Sequence, residues 1–350
     1  MIGKMDKTGL IRSRAKGFSL IEILVALALI TGLTLMMFQA IAPWLNLRQK
    51  IETERRLEQV HDALGMAYRL NAMQIESQSG PVLHVTVGGK TYEVGPSSLL
   101  TQDGVRSCEE NEEAAAVIAA FMADDANRSF LDGSRQPLCL FITPRIAQPR
   151  EGVTLYYHVA AIVAMGNDGV LGETTGLSDQ GVLTIDPESD DIGVVLNGFN
   201  IQYDLYRETR RRVDRVAEVY GAYFTARYLG NPERDYSVDY FVAGAYPYDS
   251  GEGAVPLPTE GNWGFVHTHL AGLGLGPDEQ VSAYESNNAI EVANQVVVSG
   301  TLPFGVQVQE PEPDNPAKMA LPPYTALLRA RLPGPGGADN YLLRVVPGNY

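Results

Sequence analysis

From Ile23 to Leu47 the chain runs for 25 residues without a charged side chain. At about 1.5 Å per residue, a helix of that length crosses a ~30 Å hydrocarbon core. The segment in front of it is basic. Lys4, Lys7, Arg12, Arg14 and Lys16 stand against Asp6, a net of +4. That bias places the N-terminus in the cytoplasm and sends the rest of the chain across. An ordinary secretory signal would carry an apolar core of roughly 7–15 residues with a small-residue cleavage site behind it. Here the apolar run is longer, and the small residue, Gly17, lies before it. A plain membrane anchor is the other alternative. It leaves Glu22 without a reason, because an acid deep in a span is costly unless it is paired.

Residues 16–30 read KGFSLIEILVALALI. The basic leader ends at Gly17, the aromatic Phe18 opens the apolar run, and one acid, Glu22, sits a turn inside it. This stretch resembles the processing site of type IV prepilins and type II secretion pseudopilins. The resemblance implies cleavage after Gly17 by the prepilin peptidase and methylation of the new amine on Phe18. It also implies a pairing partner for Glu22, the Phe18 amine of a neighbouring subunit. Other implied partners are further pilin or pseudopilin subunits, the inner-membrane assembly platform and membrane lipid. The implied location is the bacterial inner membrane, single-pass with a cytoplasmic N-terminus and an extracytoplasmic C-terminal domain, then a pilus or a periplasmic pseudopilus. The soluble part is larger than that of a typical major pilin, which favours a minor or tip-proximal subunit. Two other functions stay open: a filament-displayed adhesin or substrate-binding subunit, and a membrane-anchored domain that never polymerises.

Composition fits an exported subunit. Net charge is −15 over 350 residues, and removing the +4 leader takes the remaining 333 to −19. That argues against nucleic acid as a partner, which needs a basic surface. The two cysteines, Cys108 and Cys139, would face an oxidising compartment. A disulfide between them would contribute roughly 3 kcal/mol on the chain-entropy model. Two separate buried thiols are the alternative.

The expected fold class is α+β and pilin-like. A long N-terminal helix, membrane-spanning in its first half, packs on a mainly antiparallel sheet domain with an enlarged C-terminal region. Residues 1–17 form the leader, 18–79 the transmembrane and spine helix, 80–200 the β core, and 201–350 a helix plus a β-rich region. Beyond the apolar run, Leu57, Val60, Leu64, Ala67 and Leu70 recur at three- and four-residue steps and mark one stripe of a helix reaching about Ile75. Residues 82–94 read as a hairpin turning at Gly88-Gly89. The alanine-rich stretch 112–126 reads as helix and 153–165 as one long strand. Residues 201–230 have a helical pattern, with Leu205, Val213, Val216, Tyr220 and Tyr223 apolar. Arg207, Arg210, Arg211, Arg212 and Arg215 run alongside, either as a solvated face or as a contact for an acidic partner. Strands are expected near 295–300, 325–332 and 341–346, with a long hairpin loop between the last two. Residues 309–323 read as a proline-rich linker.

One loop carries candidate chemistry. In residues 163–192, GNDGVLG followed by DDI resembles the calcium loop of the type II secretion major pseudopilin. Carried over by position, Asp168 matches the turn aspartate, and Asp190 and Asp191 match the closing pair. Main-chain carbonyls around Met165, Val170 and Leu171 would complete a shell suited to calcium, which takes about 6–8 oxygens. The insert between the two halves is longer than the family's, so Asp179, Asp186 or Glu188 are substitutes for the pair. An acidic, glycine-rich surface loop with no ion is the alternative. The spacing is not that of an EF-hand. His267 and His269, with His158 or Glu260, form a weak zinc candidate that no HExxH or paired CxxC supports. Without a GxSxG, Walker A or dinucleotide fingerprint, the chain does not read as an enzyme.

Overall fold

The structure is a computed structural model. It describes residues 20–122, 130–234, 240, 264–265, 279, 282–284, 291–293, 300–301, 307–308, 325–335 and 340–348. The leader with Gly17 and Phe18, the segment 309–323, and His267, His269 and Glu260 lie outside the described residues. So do 295–299 of the expected strand at 295–300 and the loop tip at 336–339. The chain divides into two units, residues 1–52 and 53–350. The first contains most of the long helix α1, Leu20–Leu70, which runs unbroken through Pro43. The second begins inside that helix and holds the sheets.

In the second unit α1 buries Leu57, Val60, Ala63, Leu64, Ala67 and Tyr68. The expected stripe is corrected at its end: Leu70 is 66% exposed, and Tyr68 is the large side chain that turns inward. The helix stops one residue on. Asn71 leaves helical geometry, its side-chain amide donating to Ala67 O at 2.9 Å and its Oδ1 accepting from Thr86 N at 2.8 Å. A single turn, α2 (Ala72–Ile75), follows. The 82–94 hairpin forms as β1 (Leu83–Val87) and β2 (Lys90–Val94), with Val87 opposite Lys90. Its two-residue turn holds Gly88 at φ 59 and Gly89 at φ 82, the left-handed pair that such a hairpin requires.

A second hairpin joins β3 (Leu99–Gln102) and β4 (Val105–Cys108). Helix α3 covers Glu112–Met122, the described part of the expected 112–126 helix. Strand β5 (Cys139–Ile142) precedes a third hairpin, β6 (Ile146–Arg150) with β7 (Val153–Tyr157). The long strand expected over 153–165 is corrected to two. Strand β8 (Val159–Ala164) starts after a break at His158 and pairs antiparallel with β5 on one side and β11 (Ile192–Asn197) on the other. The break has a chemical cause, because the His158 amide donates to the Tyr68 hydroxyl at 3.0 Å and not to a ladder. All six residues of β8 are buried. Its Ala160, Ile162 and Ala164 face the core under α1, and Val163 faces a smaller cluster with Cys108, Cys139, Met165 and Leu171. Burial on both faces explains why this central strand is one apolar run rather than an alternation.

Two short strands follow, β9 (Gly176–Leu177) and β10 (Leu183–Thr184). The helix expected over 201–230 forms as α4, Gly198–Gly230, capped where the Asn197 side chain accepts from Phe199 N at 3.0 Å. It buries Leu205, Val213, Val216 and Tyr220 as expected, with Phe224 and Tyr228 beyond, while Tyr223 is only half-buried. The two strands expected at 325–332 and 341–346 appear as Thr325–Arg331 and Tyr341–Pro347. They are paired antiparallel in a four-stranded sheet with Glu291–Ala293 and Gly264–Phe265. Their Ala326, Leu328, Ala330, Leu342 and Val346 share one core with α4. The described architecture is thus mixed helix with antiparallel sheets behind an N-terminal helix.

Candidate functional site

Among the described residues, the large apolar side chains of the first unit are exposed. Leu20 is 80% exposed and Met36 70%, with Leu24, Leu27, Ile30 and Leu33 also exposed between them. A continuous apolar face of this extent implies lipid or other helices around it. Among the described residues no helix is long and apolar enough to cross a membrane. The side chains at 22, 35 and 38–43, all within the apolar segment that opens the chain, fall outside that description. Glu22 itself lies on α1.

Cys108 and Cys139 form a disulfide, with Cα atoms 5.5 Å apart. It ties the end of β4 to the start of β5 and is buried against Val163, Met165 and Leu171. The acidic loop is built directly on this cluster. At its first turn, Asp168 Oδ1 accepts from Val170 N at 2.9 Å and Asp190 Oδ2 accepts from Asn167 N at 2.8 Å. Gly166, at φ 69, allows this approach, because a Cβ there would overlap the Asp190 carboxylate. Asp190 and Asp191 part company at the start of β11. Asp190 is exposed. Asp191 is buried, and its Oδ2 accepts from Gly172 N at 2.8 Å, Thr175 Oγ1 at 2.6 Å and Ser189 Oγ at 2.9 Å. Its other oxygen, Oδ1, is buried with no hydrogen-bond partner. Asp186 caps the far side of the loop. The Thr174 and Glu188 amides that donate to it hold its carboxyl below the usual carboxylate range. Asp168, Asp190 and Asp191 are thus tied into one loop. Among the described residues, no three carboxylate, histidine or cysteine groups converge as a ready-made metal site.

A buried polar cluster joins α1, α2 and the β7–β8 junction. Glu76, just after α2, is fully buried, and the Tyr68 hydroxyl donates to its Oε1. His158 Nδ1 lies 3.1 Å from the same carboxylate and Nε2 lies 3.0 Å from Gly80 O. Both ring nitrogens lie within hydrogen-bond distance of a chain oxygen, so the ring is held from both sides in a buried polar cluster. Both ring nitrogens are thus engaged within the chain and not open to a zinc ion. Burial, and secondarily the Glu76 carboxylate, push the Tyr68 hydroxyl well above its ordinary pKa. Nothing in the sequence marks Glu76 apart from its being an acid at the end of an apolar helical stripe. Arg145 caps the same corner, donating to Glu76 O at 3.0 Å and Gln78 O at 3.1 Å.

Four of the five arginines at 207–215 on α4 are paired with acids of the chain, and the fifth, Arg207, lies over the Tyr203 ring at 5.8 Å. Arg210 pairs with Glu151, Arg211 and Arg212 with Glu208 at 2.6 and 3.0 Å, and Arg215 with Glu218 at 3.3 Å. This is a solvated, salt-bridged face.

The apolar helix, the acid near its start and the basic leader before it are together a known signature. The chain carries the prokaryotic N-terminal methylation motif. The match covers residues 12–38, which take in Gly17, Phe18 and Glu22, and it is the signature of type IV prepilins and pseudopilins. No curated protein and no solved structure matches the chain. The methylation motif is that of structural subunits processed by a prepilin peptidase, anchored in the inner membrane and associated with pili.

Proposed function

We propose that the chain is a structural subunit of a type IV pilus or type II secretion filament. It is inserted in the inner membrane, cleaved after Gly17 and assembled through α1. The observation that carries this is the methylation motif at 12–38 leading straight into a helix with an uncovered apolar surface. A helix of this kind satisfies its backbone internally, so lipid before assembly and neighbouring helices after it are equivalent solvents for its side chains. The body behind it, 298 residues from Thr53 to Tyr350, favours a minor or tip-proximal position, where bulk causes no clash between successive copies. In this reading the sheet domain is pilin-like, wrapped on the exposed half of the helix.

Processing is the direct test. Gly17→Glu removes the small residue at the cut and should leave the precursor uncleaved in the membrane. The wild type should show a mass beginning at Phe18 plus one methyl group. Intact-mass analysis that finds Met1 retained in assembled wild-type material would reject the assignment.

The acidic loop carries a second, subordinate proposal. A calcium ion at the first turn would have to draw Asp168, Asp190 and the unpartnered Oδ1 of Asp191 together, with carbonyl and water oxygens filling its shell. The orphaned buried oxygen favours this, since such a group is costly to leave without a partner. Calcium should then raise the melting temperature of the protein, by about 2.7 kcal/mol of stabilisation at a hundredfold excess over its dissociation constant. Asp191→Asn should abolish the rise. Calorimetry showing no heat of binding at millimolar calcium would leave the loop as an ion-free cap.

A further inference from the structure

Beyond its first turn, the same loop makes a demand that the three aspartates do not meet. The carbonyls of Gly172, Glu173 and Thr175 point to one place, and that place is filled by the guanidinium of Arg106. Its Nη1 donates to Gly172 O at 2.8 Å and also to Glu173 O, and Nη2 donates to Thr175 O at 3.3 Å. The backbone of Arg106 takes part as well, its carbonyl accepting from Leu171 N at 2.8 Å in an isolated antiparallel bridge. We propose that Arg106 is the resident cation of this loop, held in register by the Cys108–Cys139 disulfide, and that it keeps residues 171–191 ordered without a metal ion.

The chemistry of the two sides is complementary. Carboxylates take the loop's donors: Asp191 accepts from Gly172 N and Asp186 from Thr174 N. Arg106 takes its acceptors. Clustered carbonyl oxygens are the usual inner shell of a bound calcium ion. A guanidinium offers five donors in a fixed planar fork and can serve several spread oxygens at once, whereas an ammonium offers three donors from a single point on a flexible stem. Placement of the fork depends on β4. Two residues after Arg106, Cys108 is bridged to Cys139, and its amide also donates to Met165 Sδ at 3.3 Å at the root of the loop. The arginine therefore springs from a strand end that is covalently fixed to the sheet on which the loop is built. Arg145 does the same for the turn at 76–78, so capping a knot of carbonyls with an arginine from a neighbouring strand or loop recurs in this fold.

The inference is independent of the filament assignment and of calcium at the first turn. Its test is amide hydrogen exchange on the full-length protein in detergent, with chelator and then with millimolar calcium. In chelator the wild type should protect 171–191. Arg106→Gln should lose about tenfold in protection over 171–175, a local opening with the β1–β2 hairpin unchanged. Arg106→Lys should lose less, at the same amides. Wild-type exchange in Arg106→Gln overturns the proposal, and so does wild-type protection that appears only on adding calcium. Should Arg106→Gln fail to fold, Arg106→Lys decides: a smaller loss confined to 171–175 supports the role, and exchange identical to wild type overturns it.

Discussion

Glu76→Ala should cost about 3–5 kcal/mol of folding stability, because it leaves several buried polar groups without their partner at about 1–3 kcal/mol each. The melting temperature should fall on the order of 10 °C for a body of this size. The loss is large because the carboxylate serves three partners at once: the Tyr68 hydroxyl, the His158 ring and the His158 amide. Without it the His158 ring, at 1% exposure, and the His158 amide lose a buried partner, and the junction between β7 and β8 loses part of what ended the first strand and began the second. Glu76→Gln keeps the shape and an acceptor oxygen and should cost less. Combining Glu76→Leu with His158→Phe should cost less than the sum of the two single changes, because removing both polar partners leaves neither stranded. Thermal unfolding of the full-length protein in detergent measures all five variants, the two single changes included. A Glu76→Ala protein within about 1 kcal/mol of wild type would show that the pair adds little and that apolar packing alone fixes the corner.

That corner also shows where sequence reasoning stops. Elements with a local period were legible. The β1–β2 hairpin follows from two glycines between β-rich runs, and α4 from three- and four-residue spacing over 33 residues. The motif at Gly17, Phe18 and Glu22 was legible because it is a short contiguous run of residue types at fixed spacing in the sequence. The strand break at His158 was not, since VTLYYHVAAIVAM has no glycine or proline to announce it. It depends on a tyrosine 90 positions earlier and an acid 82 positions earlier. Leu70 was misplaced for a related reason. A helical stripe predicts that the next apolar residue faces inward, but Asn71 bonds to Thr86 and ends the helix there. Arg106 gave no signal either. Its partners are carbonyls 66 to 69 residues away, and backbone acceptors leave no trace in side-chain identity.

Glu22→Val should leave membrane insertion, cleavage after Gly17 and the folded body intact, yet strongly reduce incorporation into filaments. An ionised acid inside a hydrocarbon layer is expensive, so Glu22 must be neutralised or paired there. Valine removes that cost and, if anything, inserts more readily. In an assembled filament, staggered helices would bring the Phe18 amine of one copy to the Glu22 of its neighbour. Attraction between opposite charges is strong where water is scarce. The larger consequence is register. An apolar helix surface like that of α1 slides against its neighbours at little cost, whereas one charge pair at the head of an uncharged run of 25 residues has a single satisfied position. Glu22→Asp should be partly active, because it keeps the charge and shortens the reach. The measurement is recovery of each variant with sheared filaments, normalised to its level in the membrane. Undiminished recovery of Glu22→Val would reject the pairing. It would place the chain at the extreme tip, where no neighbour lies ahead, or make it an anchored domain that does not polymerise through its helix. Recovery of Glu22→Asp between those of the wild type and Glu22→Val separates a geometric requirement on the charge from a simple need for a polar residue at this depth.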